Sequence, residues 1–177
     1  MMQALTMIPA RLKAAGRIFV CGTPGLVILP NGDLDLCMVT LENEMRRLRA
    51  HGVKTLIGLT EDAELECVAY EDIAEMSEAF GIGSRRFPVP DFGIPAPAQE
   101  AHWTDLSREA REIIAAGDAV AIHCLAGAGR SCMMAACLLV QLGLTPQRAI
   151  AAVRQGRSDA IETPAQYDYV HATLIPS

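Results

Sequence analysis

Short apolar runs alternate with longer stretches of helical periodicity along most of this chain, and that alternation restricts the fold more than any other feature. Arg17 to Cys21, Val53 to Leu59, Arg85 to Val89 and Ala119 to His123 read as strands bounded by glycine, proline or polar residues. Between them, Leu36, Val39, Leu41, Met45 and Leu48 recur on one face of a predicted helix from Leu36 to Ala50 that stops at His51-Gly52. Residues 62–80 carry Val68, Ile73, Met76, Ala79 and Phe80 at helical intervals in an acidic background, ending at Gly81 and Gly83. Trp103 to Ala116, Arg130 to Leu142 and Pro146 to Gln155 continue the pattern, and a last helix follows Thr163-Pro164. Arg17–Cys21 and Leu26–Leu29, separated by Gly22-Thr23-Pro24-Gly25, read as a hairpin at the sheet edge. Strands interleaved with helices imply an α/β fold: one domain with a central, mostly parallel sheet of about five strands and helices on both faces.

A chain of 177 residues, 51% hydrophobic and 20% charged, is long enough to bury a sizeable core and short enough for residues 1–177 to form that one domain. Its net charge of −6 gives no whole-chain attraction to phosphodiester backbones or anionic lipid, so neither nucleic acid nor membrane is expected as a partner. The first nine residues hold no Lys or Arg before a short apolar stretch, and no small-residue cleavage pattern follows. The longest clear apolar run, Cys132 to Val140, is interrupted by Gln141 and Gly143. A soluble cytoplasmic protein is expected. Cysteines 21, 37, 67, 124, 132 and 137 include no C-x-x-C pair and read as reduced thiols, which leaves open that one is reactive.

The chemical signal is the stretch His123-Cys-Leu-Ala-Gly-Ala-Gly-Arg-Ser131. At this composition, a cysteine six positions before an arginine is expected about 0.4 times by chance, so that spacing alone decides nothing. Adding the preceding His, the two glycines and the following Ser lowers the expectation to on the order of 10⁻⁵. The predicted strand delivers the chain into a loop, Leu125, Ala126, Gly127, Ala128 and Gly129, whose backbone N–H groups can face inward. The helix starting near Arg130 adds the positive end of its dipole, which makes an anion cradle. Gly127 and Gly129 permit the backbone angles such a loop requires. Arg130 offers a planar fork for two phosphoryl oxygens, and the same field favours the thiolate of Cys124.

With these residues in place, the stretch resembles the signature loop (residues 123–131) of the cysteine-based protein tyrosine and dual-specificity phosphatases. Residues 132–143 and the tail Ala160-Ile-Glu-Thr-Pro-Ala-Gln-Tyr-Asp-Tyr169 are similar to the cyclin-dependent-kinase-associated phosphatases. The resemblance implies in-line attack by Cys124, a phosphocysteine intermediate, and its hydrolysis by water with neither metal nor cofactor. It also implies that His123 tunes the thiolate and that Ser131 hydrogen-bonds the departing sulfur. The family's general acid sits on an upstream loop. Residues 88–97 hold four prolines, which exclude helix and central strand and stiffen a surface loop, and Asp91 there lies 33 positions before Cys124. Asp91 is therefore the expected proton donor, which as carboxylate would then activate the water of the second step, with Asp62, Asp105 and Glu100 in reserve.

Plainer readings accompany these. His123 reads as a core histidine that orients the loop, and Arg85 with Arg86 as a solvated charge pair rather than a substrate guide. Met133, Met134, Cys132 and Cys137 read as helix core. Gln166 reads equally as an exposed helical residue or as support for the loop. A rhodanese-type sulfurtransferase or a phosphoprotein-binding module without turnover would use a similar loop. The separate Pro-Asp loop argues against the first, and intact Cys124, Arg130 and Asp91 argue against the second. Leu125, Ala126 and Ala128 add no positive charge for a polyanion, so the expected partner is a phosphorylated protein or peptide, with phosphate or vanadate as pocket ligands.

Overall fold

A computed structural model describes residues 5–9, 15–65 and 70–175. One strand and one helix organise the fold. The strand β7 (Ala119–His123) is buried at every position, and so is the helix after it, α4 (Arg130–Gln141), from Arg130 to Val140. A helix that is apolar on all sides can only lie inside the molecule. Sandwiched elements of this kind set the layer order for the rest of the chain.

Five strands form the main sheet: β1 (Thr6–Met7), β2 (Arg17–Cys21), β5 (Val53–Gly58), β6 (Gly83–Arg86) and β7, in the order β1-β2-β7-β5-β6. Only β1 runs antiparallel; β2, β7, β5 and β6 are parallel. Helices α3 (Glu100–Ala115), α4, α5 (Pro146–Gly156) and α6 (Pro164–Ala172) supply side chains to one core cluster, which includes Val120, Ile122, Leu139, Val153 and Val170. Helices α1 (Met38–Ala50) and α2 (Tyr70–Ala79) supply the cluster on the other face, with Phe19, Leu41, Leu56, Ile73 and Ala121. The residues alternate across β7, with Val120 and Ile122 in the first cluster and Ala119 and Ala121 in the second, as the period of two requires. The architecture is the α/β fold, mostly parallel with helices on both faces, that the alternation of segments predicts.

Register fixes where chemistry can occur. His123 is paired with Cys21 on one side and Gly58 on the other, so three parallel strands end at the same level. Ligands of open parallel sheets bind outside such carboxyl ends, and here that is where Cys124 emerges.

Several local expectations are corrected. Arg17–Cys21 and Leu26–Leu29 do not form a hairpin: β2 lies inside the sheet beside β7, while β3 (Leu26–Ile28) pairs antiparallel with β4 (Leu34–Leu36). The intervening Gly22–Gly25 turn is diverted because Thr23 is bound elsewhere, its N–H to Leu125 O and its hydroxyl to Cys124 O, both at 3.2 Å. Pairing of β4 also delays α1 to Met38. The acidic stretch 62–80 is not one helix; a 3₁₀ turn, Asp62–Leu65, precedes α2, and the positions of Cys67 and Val68 lie outside the described residues. The strand expected at 85–89 is displaced to Gly83–Arg86. Phe87 and Val89 still donate to Gly58 O and Leu59 O, but Pro88 and Pro90 have no N–H to continue the ladder. The two-residue β1 has no periodic signal to reveal it.

Because α4 fills the space between the sheet and α5, the fully buried Leu139 tests this layering. Leu139→Ala should lower unfolding free energy by about 2–5 kcal/mol, read as a lower urea midpoint with an unchanged slope. A loss below about 1 kcal/mol would mean that α4 is not the central core element.

Candidate active site

The candidate loop begins where β7 stops. Cys124 is 3% exposed, and its Sγ accepts a hydrogen bond from Gly127 N at 3.2 Å and lies 3.4 Å from Ser131 Oγ. The loop's carbonyls are taken up elsewhere: Leu125 O and Cys124 O by Thr23, Ala128 O by Ile161 N, Gly129 O by Met133 N. A loop held by its carbonyls at the start of a helix can turn its remaining N–H groups towards an anion.

The two glycines serve different purposes. Gly127 adopts φ +75°, and a Cβ there would collide with the Cys21 carbonyl. Gly129, the residue before α4, has φ −76°, so backbone freedom is not its reason. A Cβ at Gly129 would strike the Glu162 carboxylate. The expectation that both glycines supply unusual backbone angles holds for the first and is replaced by close packing for the second.

Arg130 is the most heavily engaged side chain of the site. Its side chain is 2% exposed, and Glu64 meets it with two parallel bonds, Nη1 to Oε2 and Nη2 to Oε1, each 2.6 Å. Nη1 also donates to Val89 O at 3.0 Å, and Nη2 is 2.9 Å from Asp91 Oδ1. Burial pushes the Glu64 pKa upward, but its bonds from Arg130 and from Glu61 N outweigh that, and the carboxyl is held below its ordinary value. The sequence presents Arg130 as a free fork for two phosphoryl oxygens. Instead both terminal nitrogens are shared with carboxylates, so any anion reaching Nη2 would have to compete with Asp91. Asp91 is half-exposed and makes one contact to the guanidinium, whereas Glu64 is largely buried and makes two.

Glu64 is not a candidate on the sequence alone. Its acidic neighbourhood, Glu61 to Glu66, reads as the solvated face of a helix, and only the general rule that a buried guanidinium requires a carboxylate points to a missing partner.

His123 is wholly buried and stacks on Tyr70, with ring centroids 6.1 Å apart and planes 17° from parallel. Burial, reinforced by the charges of Arg86 and Arg130, pushes its pKa down to about 3, so it is neutral near pH 7. Gly58 makes room for this stack, since a Cβ would meet Tyr70 Oη at 2.5 Å and His123 Nε2 at 2.7 Å.

The proline-rich loop of residues 88–97 is braced from two sides. Gln99 Nε2 donates to Pro88 O at 2.8 Å, and Gln166 Nε2 donates to Gly93 O at 3.3 Å. Thr163 Oγ1 reaches Phe92 O at 3.2 Å. Gln166 is fully buried, which rejects its reading as an exposed helical residue in favour of loop support. Phe92 adopts φ +55°, a conformation uncommon for a bulky residue, directly after Asp91.

Other candidates lie away from Cys124. Asp62 pairs with Arg86 at 2.6 Å and Asp105 with Arg108 at 2.8 Å, while Glu100 lines a separate groove with Trp103, Arg111 and Tyr169. Arg85 is a solvated charge, exposed and forked onto Glu109 at the surface, whereas Arg86 is partly covered and lies 4.4 Å over the Tyr70 ring. Cys132 and Cys137 are free thiols whose pKa burial pushes up to about 12, as core helix residues. Met133 and Met134 are fully buried in the same helix.

Comparison with known proteins agrees with this geometry. Residues 35–144 match a family model described as a polymorphic toxin system DSP-PTPase phosphatase. The chain is 30% identical over 150 residues to cyclin-dependent kinase inhibitor 3 of Rattus norvegicus, covering 83% of this chain and 69% of that protein. It is 31% identical over 125 residues to human protein tyrosine phosphatase type IVA 3, covering 70% of this chain and 66% of that one. A solved kinase-associated phosphatase with its catalytic-site cysteine changed to serine superposes with a TM-score of 0.78 at 24% identity, covering 97% of this chain and 93% of the other.

Two groups of the site bind protons more weakly in the folded chain than in the unfolded one. His123, lowered from an ordinary value near 6.5, stabilises the fold fully above that pH and progressively less as pH falls towards 3. Glu64, also lowered, contributes above its ordinary value near 4.3 and loses its contribution as pH falls through its folded value. Unfolding free energy measured from pH 8 to 3 should therefore fall first through His123 and, in a lower stage below about pH 4.3, through Glu64 as well, and Glu64→Gln should shrink that lower stage. An unchanged lower stage in Glu64→Gln would contradict the assigned ion pair.

Proposed function

Because this chain belongs to the cysteine-based protein tyrosine and dual-specificity phosphatases, we propose that it removes phosphate from phosphorylated proteins through a phosphocysteine intermediate on Cys124. As a member of that family it is a metal-independent phosphoric monoester hydrolase. One observation carries the assignment of the nucleophile: the Cys124 sulfur sits between Gly127 N and Ser131 Oγ at the mouth of a helix whose first residue is the buried, carboxylate-anchored Arg130.

The chemistry follows from the distances. A phosphate monoester entering the cradle is bound by backbone N–H groups of residues 125–129 and displaces Asp91 from Arg130 Nη2. Cys124 attacks phosphorus in line as a thiolate. Asp91, released from the guanidinium and protonated from solvent, gives its proton to the leaving oxygen, a contribution of about 10²–10⁴ in rate. Water then hydrolyses the phosphocysteine, and the Ser131 hydroxyl, 3.4 Å away, donates to the departing sulfur. Neutral, buried His123 acts as a rigid support beneath the loop rather than as a proton carrier.

The substrate reading rests on what lines the cradle. Leu125, Ala126 and Ala128 provide no cation for further phosphates, and nearby Arg85, Arg86 and Arg157 are committed to Glu109, Asp62 and Asp159. A single phosphoryl group on a tyrosine, serine or threonine of a protein fits this better than a polyphosphorylated lipid or inositol. Five described cysteines are free, which supports a reducing, cytoplasmic setting.

A phosphopeptide panel assayed for phosphate release in the presence of EDTA tests this reading. Turnover should persist with EDTA, be inhibited by vanadate and vanish in Cys124→Ser, which should still bind phosphopeptide. Asp91→Asn should lose about 10²–10⁴ in turnover on phosphotyrosine and less on aryl phosphates with acidic leaving groups. Wild-type-like release by Cys124→Ser, or abolition by EDTA, would refute the mechanism.

A further inference from the structure

A groove of about 520 Å³ runs beside α3, and none of its lining residues belongs to the Cys124 loop. That volume is in the range of clefts that hold ligands, roughly 300–1,000 Å³. The lining comes from four places: residues 94–97, one face of α3, Gln141 at the end of α4, and the end of α6 with the following Leu174. Pro95 and Pro97 stiffen the first of these, so that wall is formed before anything binds. Leu174, 82% exposed, is an apolar side chain that packing within the chain leaves uncovered.

The helix lays a charge pattern along this groove. Glu100, Trp103, Thr104, Ser107 and Arg111 follow at intervals of three or four, and the rise of α3 from Glu100 to Arg111 is about 16 Å. The middle of the stripe is apolar in effect, because the hydroxyls of Thr104 and Ser107 turn back on their own helix, to Glu100 O at 2.9 Å and Thr104 O at 3.2 Å. Its ends are charged and opposite in sign. Elsewhere on α3, Glu109 pairs with Arg85 and Asp105 with Arg108, whereas among the described residues neither the Glu100 carboxylate nor Arg111 has an ion-pair partner. At the Arg111 end the lack is sharper still: Arg111 Nε and Gln141 Oε1 are both shielded from water and have no hydrogen-bond partner.

An unpaired donor and an unpaired acceptor on one groove call for a ligand that accepts at one atom and donates at another. The last residue of a peptide does both, with a carboxylate that matches a guanidinium fork and an N–H on the same residue. We propose that this groove binds the free C-terminus of a partner protein. The terminal carboxylate sits on Arg111, the N–H of the last residue donates to Gln141 Oε1, and an apolar last side chain packs against Trp103 and Tyr169. Upstream residues run along α3 towards Glu100. At about 3.3 Å per extended residue the 16 Å is spanned by about five residues, which brings a lysine or arginine five positions before the end to the Glu100 carboxylate. Charge sets the direction, since the reversed peptide would place its carboxylate on Glu100. A small aliphatic carboxylate would satisfy Arg111 alone and give Gln141 Oε1 no donor and Glu100 no cation. Nothing in this interaction depends on the reaction at Cys124.

Trp103 is the only tryptophan of the chain and lines the groove, so its fluorescence reports occupancy. The probe is an acetylated hexapeptide, lysine-alanine-valine-alanine-valine-leucine, titrated into the whole chain by fluorescence and by calorimetry, once as the free acid and once as the C-terminal amide. The free acid should bind saturably and the amide at least about tenfold more weakly, because it lacks the charge that Arg111 receives. Arg111→Gln should weaken the free acid by a similar factor and remove the distinction between the two peptides. Glu100→Gln should weaken the lysine peptide and leave unchanged the binding of the same peptide with alanine in that place. Amidation alters only the peptide, so its effect cannot come from misfolding. Equal binding of acid and amide would overturn the proposal, and so would Arg111→Gln still preferring the acid. A free acid that gives neither a fluorescence change nor heat at about 1 mM would refute it as well.

Discussion

A guanidinium that is 2% exposed cannot remain in a protein without a carboxylate, and the rest of this site follows from how Arg130 is neutralised. The helix dipole disfavours a cation in the first turn of α4, so the position is held against local electrostatics. Glu64 supplies the compensation from the connection after β5. Val89 O and Asp91 add contacts from the connection after β6. One side chain thereby gathers three segments that are far apart in sequence and leaves Asp91 as the ligand an incoming phosphate can replace.

The sheet makes this convergence available. Parallel β2, β7 and β5 end level with one another, so the loops that follow them share one edge, and Thr23 from the β2 side and Glu64 from the β5 side flank the Cys124 loop. A second brace closes the opposite rim. Gln166, buried at the start of α6, binds the Asp91 loop at Gly93 with its amide nitrogen and the Glu162 backbone with its oxygen. The Cys124 loop is thus carried by rigid elements, while Asp91 stands half-exposed at its contact with Arg130.

How much of this could be read from the sequence depended on range. The strand Ala119–His123 and the helix from Arg130 were legible to the residue because an apolar run, a glycine-rich turn and a continuous apolar helix follow one another locally. Cys124, Arg130 and Asp91 were visible as a pattern of residue types. Glu64 was hidden, since one carboxylate in an acidic stretch looks like any other until a buried cation 66 positions away selects it. Glu162 and Gln166 were visible only as letters of a similar tail, because what matters about them is packing against Gly129 and Gly93. The misplaced hairpin has the same origin: Gly22–Gly25 turns the chain in either topology, and long-range bonds from Thr23 to the Cys124 loop decide between them.

The central claim is that phosphoryl transfer passes through the sulfur held between Gly127 N and Ser131 Oγ. Its most direct test is a rapid denaturing quench of the wild-type chain during turnover of a phosphotyrosyl peptide, followed by mass-spectrometric mapping of the transferred group. The account predicts a phosphoryl group on the peptide that contains Cys124 and on no other cysteine. Phosphate release with no covalent phosphoenzyme at any quench time in wild type or in a variant slowed in hydrolysis, or a phosphoryl group on another residue, would contradict it.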